Sequence, residues 1–216
     1  MSKRLFGLLV FVALCDLLIV IAGGGRAFLR SPVAAAYIVL WNAWWLLVAV
    51  GRQRGVRSSY DRGQRAVYAL GIGVLLGFVL LVPWEYARWP GPLPRDGALA
   101  WLGLAILVAG IVLQGMTFWT LRGLYTSRLG VQPGHRLITA GPYRCVRHPG
   151  YLSNLLCLLG ISLAMSSLIG LVLTLLTVPL LVRRIADEEA MLQAEFGAAY
   201  AAYRSSTRWR LVPYVY

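Results

Sequence analysis

The chain has 216 residues, 59% of them hydrophobic and 13% charged, with a mean hydropathy of +0.68. This composition excludes a soluble domain of ordinary make-up and makes lipid the expected solvent. A net charge of +13 would suit a nucleic-acid binder, but the arginines gather in the connections between apolar runs, which is the pattern that sets membrane topology. No nucleic-acid partner is expected.

Apolar runs long enough to cross about 30 Å of hydrocarbon, roughly 20 residues each, occupy about 5–22, 33–50, 65–84 and 98–121. A longer apolar stretch runs from 151 to 182. The first run is too long, and too closely followed by the second, for a cleaved signal peptide, and is expected to remain as a span. Asp16 is the one acid inside a predicted span. An intramembrane acid invites a functional reading, but a hydrogen-bonded contact between helices is the simpler expectation.

Gly23–Gly24–Gly25 does not meet the nucleotide-binding fingerprint, because Phe28 stands where the third glycine is needed and a membrane helix stands where a strand is needed. Trp41, Trp44, Trp45, Trp84, Tyr86 and Trp89 read as interfacial belts and packing. Cys15, Cys145 and Cys157 have neither CxxC nor Cys/His metal spacing, so no disulfide framework and no metal site are expected.

The basic residues also predict orientation. With the N-terminus in the cytoplasm, Arg52, Arg54, Arg57, Arg62 and Arg65 lie inside, as do Arg122, Arg128, Arg136, Arg144 and Arg147. The segment from Arg183 onward, with Arg184, Arg204, Arg208 and Arg210, belongs inside by the same rule. The 151–182 stretch must then enter the membrane and return. As one helix its 32 residues would reach about 48 Å, too long for an ordinary span, and Ser166–Ser167 followed by Gly170 mark a turn near its middle.

The expected fold is therefore all-α: a polytopic integral membrane protein with both termini cytoplasmic. Four N-terminal transmembrane helices occupy 1–121. A catalytic part over 122–216 combines a cytoplasmic loop, a membrane helical hairpin at 151–182 and a C-terminal amphipathic helix.

Chemistry concentrates in that last third. The polar segment GPYRCVRHPGY, Gly141 to Tyr151, precedes the hairpin, and RRIADEEAMLQAEFGAAYAAY follows it from Arg183. Arg184 and Glu188 are four apart and share a helix face, with Glu189 displaced by about 100°. The hairpin brings these three back to the membrane face that holds Tyr143, Arg147, His148 and Tyr151. Singly, each has a plain explanation as a topological anchor, a cap or a solvated face; their joint spacing carries the signal.

That joint pattern resembles the membrane-embedded methyltransferases that include the isoprenylcysteine carboxyl methyltransferases and the phospholipid N-methyltransferases. Their signature is similar to G-P-Y-x-x-x-R-H-P-x-Y, a hairpin, R-x-x-x-E-E, F-G-x-x-Y-x-x-Y and a terminal proline. It is met here by Gly141, Pro142, Tyr143, Arg147, His148, Pro149, Tyr151, Arg184, Glu188, Glu189, Phe196, Gly197, Tyr200, Tyr203 and Pro213.

The resemblance implies S-adenosylmethionine as cofactor, bound by Leu137, Thr139, Gly141, Tyr143, His148, Tyr151, Glu189 and Tyr200. It implies Arg184, Glu188 and Arg147 as catalytic residues, with Arg184 orienting an acceptor carboxylate, and a lipid or lipid-linked substrate entering from the bilayer. Isoprenylcysteine-type carboxyl methylation is the leading expectation. Phospholipid amine N-methylation, small-thiol S-methylation, a nicotinamide-dependent sterol-type reductase and a non-enzymatic headgroup anchor stay open at this point.

Overall fold

The computed structural model describes residues 3–51, 65–89, 92, 94–121 and 136–216. The arginine-rich connections at 52–64 and 122–135, on which the expected orientation leans, lie outside the described residues. What is described is helix and loop, with no strand, as hydrocarbon demands of a backbone that must satisfy its own hydrogen bonds. The helices are α1 (Lys3–Ala22), a short α2 (Arg26–Leu29), α3 (Pro32–Gly51), α4 (Arg65–Arg88), α5 (Ala98–Leu121), α6 (Pro149–Ala164) and α7 (Leu168–Ser206), with a 3-10 turn at Gly141–Arg144 before α6.

Four of them, α3, α4, α5 and α7, are long and apolar enough to cross a membrane. Large apolar side chains such as Leu14, Ile21, Ile72 and Leu175 face outward from the bundle, where lipid rather than water suits them. Gly24 and Gly25 take φ of +90° and +70°, so the glycine triplet is a chain reversal between α1 and α2. Helix α3 starts at Pro32, which lacks an N–H to leave unpaired, and Ser31 Oγ accepts from the Ala34 amide at 3.1 Å.

Within the bundle, Asp16 and Asn42 join α1 to α3, the Asn42 amide donating to both carboxylate oxygens at 3.1 Å. The interhelical contact is what the structure assigns to this acid. Trp41 is fully buried and packs edge-on to Trp44 and Trp45, so this trio packs the core. Helices α5 and α6 form the most intimate pair. A Cβ on Gly103 would lie 2.3 Å from the Ala164 backbone nitrogen, and one on Gly160 would lie 2.5 Å from that of Leu107. Lipid offers little hydrophobic drive between helices, so small residues that let backbones meet supply the attraction.

Two boundaries differ from expectation. Helix α4 runs through Pro83 to Arg88 instead of ending at 84, and the extra turn buries Glu85. Its carboxylate accepts from the backbone amides of Leu168 and Ile169 at 3.0 and 3.1 Å and from the Ser167 hydroxyl. A carboxylate there neutralises both the unpaired N–H groups and the positive end of the α7 dipole.

The second difference concerns the C-terminal helix. The hairpin turns at Met165–Ser167, with Ser166 in the left-handed region at φ +49°, as the serine pair suggests. Its second arm does not stop near 182, however. It continues as the expected amphipathic helix, because Arg183 to Ala190 contains only residues that sustain a helix. The break comes later, at Gly197, with φ +50° and ψ −120°. Up to that break the helix has 29 residues, Leu168 to Phe196, and reaches about 43 Å, more than hydrocarbon is thick, so its apolar part, Leu168 to Val182, suits lipid and the charged part from Arg183 suits the region beyond.

Candidate active site

The polar loop is held in place from two sides. Gly141 adopts φ +58° and sits so close to α5 that a Cβ would come within 2.7 Å of Thr120 Oγ1. Pro142 is buried in the 3-10 turn and Pro149 opens α6. From the other side comes the C-terminal tail, which returns after the break at Gly197. The amides of Arg147 and His148 donate to the carbonyls of Trp209 and Arg210, each at 2.9 Å, and the Tyr203 hydroxyl donates to the Tyr143 carbonyl at 2.8 Å.

Glu189 is the hub that these backbone contacts surround. Its Oε1 accepts from Arg147 Nε at 2.7 Å and stands 3.4 Å from His148 Nε2, while its Oε2 accepts from Arg210 Nε at 3.0 Å. The side chains of Arg147 and Glu189 are 5% and 6% exposed. Burial pushes the Glu189 carboxyl up, but the hydrogen bonds and charges of His148 and Arg147 outweigh it and lower it to about 2. Arg147 also donates through Nη1 to the carbonyls of Thr207 and Arg208 at 2.7 and 2.8 Å.

A second limb runs through Tyr151. Its hydroxyl donates to Glu188 Oε2 at 2.6 Å and accepts from Arg184 Nε at 2.9 Å, so the expected Arg184–Glu188 partnership is made through a phenol. The Tyr151 ring stacks on His148 with centroids 5.7 Å apart. Arg184 lies 5.4 Å from the ring centre of Tyr68 on α4, a cation–π contact from the half of the chain in which no chemistry was expected.

The hairpin thus gathers Arg147, His148, Tyr151, Arg184, Glu188 and Glu189 into one cluster. Glu188 keeps a side chain 28% exposed, against 6% for Glu189, so it is the more accessible carboxylate of the pair. Tyr200 is fully buried and its hydroxyl has no hydrogen-bond partner among the described residues. Tyr143 enters through its backbone carbonyl. Leu137, half-buried, and Thr139, exposed, occupy the extended segment before the turn and make none of the cluster's hydrogen bonds.

Sequence reasoning missed Arg210, Tyr216 and Tyr68. Arg210 donates to Tyr216 Oη at 3.0 Å as well as to Glu189, a pairing across 21 positions that no local pattern signals. The terminal R-W-R triplet, Arg208 to Arg210, was the available hint.

Fold and site together define a multi-pass, all-helical membrane protein with a buried polar cluster at the open end of a helical hairpin. Residues 101–194 match the model of the isoprenylcysteine carboxyl methyltransferase (ICMT) family. A probable protein-S-isoprenylcysteine O-methyltransferase of Oryza sativa subsp. indica is 28% identical over 177 residues, 79% of this chain and 88% of the relative. A Delta(14)-sterol reductase of Mus musculus is 35% identical over 85 residues, 38% of this chain but 20% of the reductase.

The fold aligns with the structure of the eukaryotic intramembrane Ras methyltransferase ICMT at TM-score 0.61 and 19% identity, covering 95% of this chain and 74% of that one. Residues 101–194 thus resemble the isoprenylcysteine carboxyl methyltransferases in sequence, and the chain shares the fold of a solved member of that group.

Proposed function

We propose that this protein transfers a methyl group from S-adenosylmethionine to the carboxylate of a prenylated cysteine delivered through the bilayer, with the cytoplasmic loop and the region 122–216 carrying the chemistry and both termini cytoplasmic. The observation that carries the reading is the Arg184–Tyr151–Glu188 relay beside the buried Glu189 hub, within the stretch that matches the isoprenylcysteine carboxyl methyltransferase model.

The residues fit a donor that is cationic at sulfur, zwitterionic at one end and aromatic at the other. Glu188 offers a partly exposed carboxylate to an ammonium or ribose, and Tyr200 holds a buried hydroxyl that lacks a partner. His148 and Tyr151 present stacked rings, and Leu137, Thr139, Gly141 and Tyr143 line the approach along the loop. When bound, the donor supplies a methyl group already activated by positively charged sulfur.

The protein's share is alignment and exclusion of water. Arg184 orients the acceptor carboxylate by charge-assisted hydrogen bonds through its remaining N–H groups, and the Tyr151 hydroxyl, whose proton goes to Glu188, holds the guanidinium in register. A carboxylate needs no proton removed before it attacks, so no general base is required of the site. Arg147 and Glu189 serve by keeping loop and tail in place, since Arg147 already spends its Nε and one Nη on Glu189 and two carbonyls. Among the described residues no contact in the site favours a phospholipid amine, a small thiol or a nicotinamide as the reacting partner.

The test is methyl transfer from isotopically labelled donor to an N-acylated S-prenylcysteine, with the corresponding carboxamide as control. Calorimetric binding of S-adenosylhomocysteine and of NADPH is run alongside. Transfer to the acid and not to the amide is expected. Failure of S-adenosylhomocysteine to bind folded protein, or binding of NADPH in its place, overturns the proposal.

A further inference from the structure

A cavity of about 580 Å³ opens beside the C-terminal tail. Arg204, Ser205, Arg208, Trp209, Arg210 and Tyr216 line it, with Arg147 behind. All but Arg147 lie beyond residue 194, where the family match ends; the cavity borders the Glu189 cluster through Arg147, Arg210 and Tyr216 and adds Arg204, Ser205, Arg208 and Trp209 to it. It is lined by four arginines and by no Asp or Glu side chain. Arg147 and Arg210 are engaged with Glu189. Arg204 and Arg208 are exposed and make no ion pair with a described residue. A helix dipole accounts for one basic residue in the last turn of α7; it does not account for Arg208, which follows the helix end.

The position of this cavity identifies what would fill it. The carbonyls of Trp209 and Arg210 pair with the amides of Arg147 and His148, and α6, taken as the first arm of the membrane hairpin, begins at the next residue, Pro149. The tail therefore lies at the level where lipid headgroups begin.

Its last residues close a tight loop. The amides of Leu211 and Val212 donate to the Tyr216 carbonyl, those of Val215 and Tyr216 donate to the Val212 carbonyl, and Tyr214 is held at φ +66°. The loop turns outward an aromatic and an aliphatic side chain, Tyr214 at 87% and Val215 at 78% exposure. Such a tip is poorly placed in water and well placed in the interfacial layer, where Tyr is at home.

We infer that this cavity is a binding site for the headgroup of an anionic phospholipid, with Arg204 and Arg208 pairing with its phosphate and Tyr214 and Val215 seated beside its acyl chains. Guanidinium groups match phosphate geometry bidentately, and Ser205 and the rims of Trp209 and Tyr216 suit a glycerol backbone that is part polar and part apolar. The inference stands independently of the methyl-transfer reading, because it uses neither the donor nor the acceptor.

The test uses the full chain in nonionic detergent, titrated separately with dioctanoyl phosphatidylglycerol, dioctanoyl phosphatidylcholine and inorganic phosphate, the bound species being counted by native mass spectrometry. Phosphatidylglycerol is expected to bind at least about tenfold more tightly than phosphatidylcholine. The double substitution Arg204→Gln/Arg208→Gln should weaken it by about thirtyfold, from roughly one arginine's worth of surface attraction at each site. Arg204→Lys/Arg208→Lys should retain part of the preference. Arg26→Gln/Arg30→Gln, on exposed arginines at the start of α2 and just past its end, should leave it unchanged.

An undiminished preference in the Arg204→Gln/Arg208→Gln protein, or none in the wild type, overturns the site. Inorganic phosphate binding as tightly as the lipid would overturn the lipid assignment in favour of a free anion. An unchanged thermal midpoint for each variant establishes that the comparison is between folded proteins.

Discussion

Substituting Glu189→Gln keeps the shape of the hub and one acceptor oxygen but removes the charge that Arg147, His148 and Arg210 surround. Arg147 dominates the cost. Its side chain is 5% exposed, and removing the partner of a buried charge costs about 3–5 kcal/mol. Arg210 is 34% exposed, so solvent screening leaves its share of the pair at about 1 kcal/mol or less. The sum is set by the buried arginine, and a glutamine that still accepts from Arg147 Nε draws it toward the lower bound.

The loss should be local, because what Arg147 holds is the tail. Its amide and that of His148 donate to Trp209 and Arg210, and these bonds open when the tail detaches while the bundle stays folded. A loss of about 3 kcal/mol corresponds to exchange of these two amides about 150-fold faster than in the wild type. Amide hydrogen exchange at residue resolution reads it directly. Amides within α5 and α6 serve as the internal reference and should not change. Arg210→Gln should accelerate the same amides by no more than about fivefold. Exchange at Arg147 and His148 within about threefold of wild type in the Glu189→Gln protein would refute the buried hub as what secures the tail.

The pH dependence follows from the same carboxylate. Its folded value, about 2, lies below its ordinary 4.5, so the stabilisation is fully present above the unfolded value and is lost as pH falls through the folded one. Protection of the Arg147 and His148 amides should hold from pH 7 to about 5 and decline below that, whereas a loss beginning above pH 6 would refute the Glu189 carboxylate as the group responsible. Tyr151→Phe deletes the hydroxyl between Arg184 and Glu188, two charge-assisted hydrogen bonds whose alignment is worth about 1.5–3 kcal/mol, so kcat should fall about 10- to 100-fold with the fold intact. An unchanged kcat with a prenylcysteine acceptor would remove Tyr151 from the chemistry. Gly160→Val places a side chain 2.5 Å from the Leu107 backbone nitrogen, and should prevent recovery of monodisperse protein by size-exclusion chromatography. Gly7→Ala, with nothing within 4 Å, should elute as wild type.

Hydropathy and helical spacing determine much of this protein, because both are local properties of the chain. They specify lipid as solvent, the spans, the reversal at Ser166 and most of the residues that gather into the polar cluster. His148, Tyr151, Arg184, Glu188 and Glu189 were all legible, since a hairpin of equal arms must bring its two flanks to one membrane face. Which acid meets which base was not legible.

Glu189 pairs with Arg147 across 42 positions and with Arg210 across 21, and a phenol stands between Arg184 and Glu188. Such choices depend on the rotation and axial shift of each helix to within a fraction of an ångström. Those are set by how α5 meets α6 through Gly103 and Gly160 and by the break at Gly197 that sends the tail back to the loop. The contributions of Tyr68 and of Glu85, the carboxylate cap on α7, have the same origin. Hydropathy and spacing describe residues one helix at a time, and only packing brings α4 against the hairpin.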